Sequence, residues 1–239
     1  MMKSYALLMG SSATGKGTRL ENYINFLTSK FGQPIILRAL TDDGKVFQYG
    51  IQFPDLDLVV LGKLVTSNKS GAIGWSSLDM INASLGGTEA TCNFVNKYCQ
   101  NKHVIGEGEP MIQSNRYRPT WMKEFYKVEK TFHMIFFYRN KEDYIARIVG
   151  RSGRPPKGDA GWSRNNSYIG YINKCTAENF VEGVDYVSEH EYDAPVDLFG
   201  IEHLKFIGLP ELIEEFREYV SKNLYLKSET IKAQDDGIF

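Results

Sequence analysis

A glycine-rich segment near the start of the chain has the composition and spacing of a phosphate-binding loop. It follows an apolar run, opens a helical pattern, and comprises Gly10, Ser11, Ser12, Ala13, Thr14, Gly15, Lys16, Gly17 and Thr18. Glycines allow backbone N–H groups to turn toward an anion, and the N-terminus of the following helix adds positive potential. Lys16 is then placed to reach the β- and γ-phosphates of ATP, and the Thr18 hydroxyl to bind Mg²⁺. We expect the loop to bind ATP and Lys16 to act in transfer of a phosphoryl group.

Carboxylates at the ends of apolar runs are candidates for the catalytic base and for the metal. Transfer to a hydroxyl requires charge neutralisation, alignment and a proton acceptor. Glu107 follows the apolar run His103–Gly106, at a strand end, where α/β sheets bind ligands. We therefore expect Glu107 to order Mg²⁺ with Thr18 or to accept the proton, and Glu109 to contact the acceptor. The alternative is a solvated loop that carries two surface acids.

Two further carboxylates have competing structural interpretations. Asp42 follows the second apolar run and is the other candidate for the base, but Asp43-Gly44 beside it is also a turn signal. Asp79 lies in a GWSSLD segment, in which Ser77 or Asp79 would equally cap a helix.

A cationic stretch in the second half of the chain is a candidate for binding the transferring phosphate. It contains Arg147, Arg151, Arg154, Lys157 and Arg164. Arg147 and Arg151 lie four residues apart and so share a helix face, and arginine binds phosphate oxygens bidentately. The alternative is a solvated helix end. Because a polar loop rich in glycine and proline follows, we favour a lid, with Arg151 catalytic, Arg147 on the nucleotide and Arg154 on the acceptor.

A second cationic pair lies downstream of Glu107. Arg116 and Arg118, with Tyr117 and Trp121 beside them, would bind the phosphate and the base of an acceptor. The alternative for the aromatic side chains is packing.

Apolar runs alternate with helical patterns along the chain, which predicts an α/β fold. The predicted strands are Tyr5–Met9, Pro34–Ala39, Leu56–Leu61, His103–Gly106, Thr131–Tyr138 and His203–Ile207. The predicted helices are Gly17–Phe31, Thr88–Gln100, Pro119–Val128, Lys141–Val149, Ser167–Phe180 and Pro210–Asn223. Several strands are continuously apolar, as in parallel strands buried on both faces. We expect a three-layer sandwich with a mostly parallel sheet.

Two segments interrupt this alternation. Residues 41–53 contain Asp-Asp-Gly and predict a hairpin that leaves the sheet. Residues 150–166, which are rich in glycine, proline and cations, predict a lid. We expect one domain over residues 1–226 and a peripheral tail over residues 227–239.

The composition is that of a globular protein of the cytoplasm. Of 239 residues, 42% are hydrophobic and 24% charged, with a formal net charge of −1. This charge argues against a generally basic nucleic-acid-binding surface but allows a local basic groove. Three cysteines without CxxC spacing, and no apolar stretch of 18 residues, predict neither a disulfide framework nor a membrane span. The composition leaves the oligomeric state open.

The Gly15-Lys16-Gly17-Thr18 segment is similar to that of adenylate kinase and other nucleoside monophosphate kinases, which also carry an arginine pair before their lid. This resemblance implies a P-loop kinase fold in which Arg147 and Arg151 clamp the phosphoryl group. The acceptor region differs, because Glu107-Gly-Glu109-Pro stands where adenylate kinases have DGFPR. In size, phosphate loop, GEGEP segment and lid, the whole chain most resembles phage-encoded kinases that phosphorylate 5-hydroxymethyluracil in viral DNA.

Three functions follow from these features. The favoured one is an ATP-dependent kinase acting on 5-hydroxymethyluracil in phage DNA, in the cytoplasm of the host. The second is a soluble deoxynucleoside monophosphate kinase, which the missing DGFPR segment disfavours. The third is a non-catalytic ATP-binding module, which the combination of lysine, threonine, carboxylate and arginines disfavours. Labelled ATP offered with mononucleotides and with DNA separates them.

Overall fold

The computed structural model describes residues 1–40, 44, 46–62, 73–74, 77–108, 115–179 and 181–223. The strands are β1 Met2–Gly10, β2 Ile35–Leu40, β3 Val46–Phe53, β4 Leu58–Leu61, β5 Ile73–Gly74, β6 His103–Gly108, β7 Val128–Phe137 and β8 Asp185–Glu191. The α-helices are α1 Lys16–Phe31, α2 Leu78–Ser84, α3 Thr88–Tyr98, α4 Pro119–Phe125, α5 Lys141–Ser152, α6 Ala160–Asn179, α7 Leu198–Ile207 and α8 Ile213–Asn223. In this part of the chain, no helix has the length and apolar composition needed to cross a membrane.

One sheet runs through the molecule in the order β2-β3-β4-β6-β1-β7-β8, with β5 paired to β3. The pairs from β4 to β8 are parallel, whereas β3 is antiparallel to both β2 and β4. The predicted α/β fold with a mostly parallel sheet is therefore confirmed. Because the carboxyl ends of parallel strands meet at one edge, β1, β6 and β7 bring the phosphate loop, the end of β6 at Gly108 and the segment that follows Phe137 together.

Helices cover both faces of the sheet and give the molecule three layers. Successive β1 side chains point to opposite faces: Tyr5 and Leu7 join one buried cluster, with residues of α2, α3, α4 and α6. Ala6 and Leu8 join the other cluster, with residues of α1, α7 and α8. With both faces covered, β1 is apolar nearly throughout, as buried parallel strands are.

One predicted strand is wrong, and two strands were missed. His203–Ile207 is the second half of α7, Leu198–Ile207, because a short, continuous apolar run does not distinguish a buried helix from a buried strand. The missed strands are the two-residue β5 and the strand β8, whose sequence DYVSEHE is mostly polar. Strand β8 is the last strand in the order of the described sheet, where partial exposure tolerates polar side chains.

The two segments predicted to interrupt the sheet differ from expectation. Residues 46–53 form β3, which pairs with β2 in a hairpin but also with β4, so this hairpin stays within the sheet. Within residues 150–166, α5 continues to Ser152 and α6 begins at Ala160, which leaves residues 153–159 as the connection. The predicted tail, residues 227–239, lies outside the described residues.

Candidate active site

The predicted phosphate loop lies between the end of β1 and the start of α1. Gly10 has a φ of +144°, and a Cβ there would lie 2.2 Å from the Phe136 carbonyl oxygen. Glycine is therefore required at this position. The loop is fixed by hydrogen bonds from Ser11 N to Phe136 O (3.1 Å) and from Thr14 Oγ1 to Ser11 O (2.8 Å). The backbone is thus shaped before any ligand binds.

Lys16 is buried at the start of α1. Its Nζ donates to Gly10 O (2.7 Å) and Ser11 O (3.0 Å), so the ammonium group is held against the loop. Thr18, two residues further along the helix, is exposed and lines the adjoining cleft. The predicted ATP-binding lysine and metal-binding hydroxyl therefore lie on the same side of the loop.

The buried side chain of Arg19 links the phosphate loop to the segment that follows β8. Arg19 Nη1 donates to Thr14 O (2.8 Å), while its Nε donates to Pro195 O (3.2 Å) in the connection after β8. Its guanidinium lies 4.2 Å from the centre of the Phe136 ring. Burial, together with the nearby charge of Arg147, lowers the pKa of Arg19 to about 10, so it remains charged at neutral pH. Arg19 therefore holds the phosphate loop against the connection that follows β8, the last strand in the order of the described sheet.

Asn165, a buried residue of α6, holds the other side of the loop by hydrogen bonds. Asn165 Oδ1 accepts from Ser11 Oγ (2.5 Å) and from Tyr138 N (2.9 Å), and its Nδ2 donates to Tyr138 O (2.8 Å). The Tyr138 hydroxyl in turn donates to Ser12 O (3.1 Å). Sequence reasoning missed Asn165 and Arg19, because neither belongs to a motif and each acts through contacts distant in sequence.

A cleft of about 1060 Å³ opens in front of the loop. Its lining includes residues from the loop, from the start of α2, from the end of β6 and from α5: Ser12, Ala13, Gly15, Lys16, Gly17, Thr18, Ser77, Asp79, Glu107, Gly108, Ala146, Arg147, Gly150 and Arg151. The structure therefore brings nine predicted site residues to one cavity: Ser12, Ala13, Gly15, Lys16, Gly17 and Thr18 of the loop, with Glu107, Arg147 and Arg151.

Two carboxylates lie at the end of β6, beside the loop. The β1–β6 register places Glu107 next to Leu8 and Gly108 next to Met9. The Asp79 carboxylate oxygen lies 3.0 Å from the position that a Cβ on Gly108 would occupy, so Asp79 packs against this strand end. Ser77 precedes the first residue of α2, but its side chain makes no capping hydrogen bond.

Oxygen ligands suitable for Mg²⁺ therefore line the cleft. Carboxylate and hydroxyl oxygens are hard ligands of the kind this ion prefers, and Glu107, Asp79 and Thr18 supply them. Within the described ranges, no group of three or more His, Cys, Asp or Glu side chains could hold a metal. This donor set fits an ion that keeps several waters and is bound largely through nucleotide phosphates.

The arginines of α5 form the opposite wall of the cleft. Arg147 and Arg151 are both exposed and one turn apart, and the Arg147 guanidinium lies 5.8 Å from the centre of the Tyr192 ring. The α5–α6 pair is joined by packing of Tyr144 against Trp162. Arg154 lies in the connection after α5, exposed and outside the lining of the cleft.

The other predicted acceptor residues that the structure describes do not line this cleft. Arg116 lies 3.5 Å from Glu89 and over the Phe125 ring, on which Trp121 also stacks. Tyr117 is buried. Arg118 precedes α4 and is absent from the lining. Asp42 and Glu109 lie outside the described residues, so their predicted roles stay predictions.

The fold and cleft together define a class, α/β proteins in which a glycine-rich loop joins a central strand to a helix at the sheet edge where ligands bind. The chain belongs to the family described as 5-hmdU DNA kinase 2, whose model matches residues 2–223. The predicted resemblance to the phage 5-hydroxymethyluracil DNA kinases is thereby confirmed.

Individual relatives place the chain in the same group. It is 37% identical over 183 residues to the 5-hmdU DNA kinase 2 of Salmonella phage ViI, a match covering 76% of this chain and 59% of that protein. The chain thus spans less than two thirds of that relative. Among solved structures, a sugar kinase from Janibacter sp. HTCC2649 matches at 9% identity and a TM-score of 0.38, over 89% of this chain and 98% of that one. That likeness is too weak to support an argument about fold or function.

Proposed function

We propose that the chain is an ATP-dependent kinase that phosphorylates the hydroxymethyl group of 5-hydroxymethyluracil in DNA. The observation that supports this most is the cleft itself, which joins a phosphate loop to two carboxylates and two arginines. Membership of the 5-hmdU DNA kinase 2 family supports the acceptor. The alternative, a deoxynucleoside monophosphate kinase, needs a site for a free phosphate, and Arg116 and Arg118 do not line the cleft.

The reaction transfers one phosphoryl group between two oxygens. The hydroxymethyl oxygen attacks the γ-phosphorus, the bond from that phosphorus to the β–γ bridging oxygen breaks, and ADP leaves with that oxygen. A carboxylate accepts the hydroxyl proton, and Glu107 and Asp79 are the described candidates. Asp42 remains the other predicted base. Neither described carboxylate requires a conformational change to face the cleft, because both line it.

Cationic groups on both sides of the cleft offset the charge of the phosphates. Lys16 contacts them from the loop, and Arg147 and Arg151 contact them from α5, where bidentate guanidinium groups hold the transferring group in line. Thr18 and Glu107 are the residues that would hold Mg²⁺, whose charge offsets that of the phosphates when bound. Arg19 and Asn165 keep the loop rigid during this process.

The DNA acceptor must leave the base stack to reach the cleft. Flipping a base costs a few kcal/mol, which contacts in a pocket offset. The exposed cations Arg151, Arg154, Lys157 and Arg164 are suited to the DNA backbone near the cleft, despite the net charge of −1. Binding through phosphate contacts weakens as salt rises.

The test is a transfer assay with γ-labelled ATP and four acceptors: 5-hydroxymethyldeoxyuridine monophosphate, other mononucleotides, unmodified DNA and DNA containing 5-hydroxymethyluracil. We expect label in the hydroxymethylated DNA alone, with a rate that falls as salt rises. Lys16→Ala is the control for contaminating kinases. Efficient labelling of a free mononucleotide, with none in DNA, would refute the proposal in favour of the monophosphate kinase.

A further inference from the structure

A smaller recess adjoins the cleft on the side of α2. It measures about 370 Å³ and is lined by Asp79, Asn82, Ala83, Gly86 and Gly87. Cavities of about 300–1,000 Å³ are typical of small-ligand sites. Asp79 lines both this recess and the main cleft, so the two cavities are neighbours that share this residue. A ligand in the recess would therefore extend toward the main cleft.

The recess contains a buried amide with unused hydrogen-bonding capacity. Asn82 is only 3% exposed, and its Nδ2 donates to the Tyr117 hydroxyl at 2.8 Å. Its Oδ1 has no hydrogen-bond partner among the described residues. A buried acceptor without a partner is destabilising in a folded protein. Because Oδ1 is itself buried, an N–H group brought by a ligand reaches it only after the side chains around it shift.

Neighbouring tyrosines fix the orientation of this amide. Tyr117 is buried and lies 6.0 Å from the Tyr126 ring, centre to centre. Burial raises the pKa of Tyr117, so its hydroxyl stays protonated and neutral. With Nδ2 held by this hydroxyl, Oδ1 is the amide atom that lacks a partner among the described residues.

The rest of the recess is formed by residues with little or no side chain. At Gly86 and at Gly87, no heavy atom lies within 4 Å of the position of an added Cβ, so both border open space. Ala83 is exposed on α2 and contributes one methyl group. A flat ring fits a cavity bounded in this way.

We propose that this recess receives the pyrimidine ring of the acceptor, with Asn82 Oδ1 accepting from the ring N3–H; this inference rests on the proposed function. The hydroxymethyl group on C5 would then lie at the junction beside Asp79, facing the loop. A cytosine ring has an unprotonated N3, which would oppose Oδ1 with a second acceptor. Asn82 therefore selects uracil over cytosine, because a buried pair of acceptors is unfavourable.

Filling the recess tests its role without disturbing the buried amide. Ala83→Leu places a larger side chain in the recess, and Ser84→Leu makes a similar change at the next exposed position of α2, which does not line it. We expect Ala83→Leu to lower kcat/KM for hydroxymethylated DNA at least 10-fold with unchanged ATP affinity, and Ser84→Leu to stay within twofold of wild type. Equal activity of the two variants would overturn the inference while the proposed function stands. A wild-type protein that labels no hydroxymethylated DNA would overturn both.

Substitution of the asparagine tests base selection directly. Labelling of DNA carrying 5-hydroxymethyluracil is compared with labelling of matched DNA carrying 5-hydroxymethylcytosine, for wild type and for Asn82→Ala. We expect the wild type to prefer uracil and the variant to lose at least 10-fold of that preference. A purely structural role would lower both rates equally, and an unchanged ratio would overturn the role of Asn82 in recognition.

Discussion

Replacing Asn165 by alanine should weaken both the fold and the phosphate loop. The substitution removes three hydrogen bonds and leaves Ser11 Oγ, Tyr138 N and Tyr138 O without their partner. Each buried polar group left unpaired costs about 1–3 kcal/mol, and water entering the vacated space recovers part of this. We therefore expect the free energy of unfolding to fall by about 3–5 kcal/mol. Because Ser11 belongs to the loop, KM for ATP should rise and kcat should fall as well.

Urea denaturation at pH 7.5, with ATP kinetics on the same preparations, measures both effects. Ser167→Ala is the matched control, since its exposed hydroxyl donates only to Ser163 O on the same helix. Asn165→Asp keeps the acceptor oxygen but places a second, charged acceptor against Tyr138 O, so it should destabilise the protein at least as much as Asn165→Ala. A loss below about 1 kcal/mol in Asn165→Ala, with ATP kinetics unchanged, would show that the loop does not depend on this contact.

Three further predictions concern charged and titrating side chains. Lys16→Ala should lower kcat about 100- to 1,000-fold in a protein with wild-type circular dichroism; wild-type turnover would contradict the role of the loop. Arg151→Lys keeps the charge but loses the bidentate geometry, so kcat should fall about 10-fold or more while ATP affinity changes little; equal effects on both would show that Arg151 only binds ATP. Burial lowers the pKa of His203 to about 3, so the unfolded chain takes up the proton first and stability falls as pH drops below about 6.5. This imidazole should account for about 1.4 kcal/mol of stability lost between pH 7.5 and 5.5, a loss that His203→Phe should abolish in urea titrations; an unchanged pH dependence would refute it.

The sequence predicted the part of the site that depends on local order. The phosphate loop follows a buried strand and precedes a helix, and Glu107 follows the apolar run His103–Gly106, so their meeting at one sheet edge follows from parallel pairing of the two strands. Arg147 and Arg151 were predicted from helical spacing. These inferences needed only strand direction and helix periodicity.

The site residues and elements that were not predicted depend on contacts between residues far apart in the sequence, which local sequence patterns do not indicate. Asn165 reaches Ser11 across 154 positions of sequence, and Arg19 reaches Pro195 across 176. The position of Asp79 beside Glu107 depends on how α2 packs over β6, which the GWSSLD segment does not specify. Likewise, β8 carries too few apolar residues to indicate a strand, while His203–Ile207 carries enough to suggest one in a helix.

The central position of β1 has a consequence for the newly made chain. Its neighbours begin to pair at Ser4 with His103 and at Met2 with Val128, so the ribosome must add about a hundred residues before either partner exists. At about 5–20 residues per second, this apolar segment waits on the order of 5–25 s without a strand on either side. Unpaired apolar segments of this kind associate with other chains. The yield of active protein should therefore depend on the speed of translation and on the supply of chaperones, even though the finished sheet leaves β1 with no free edge.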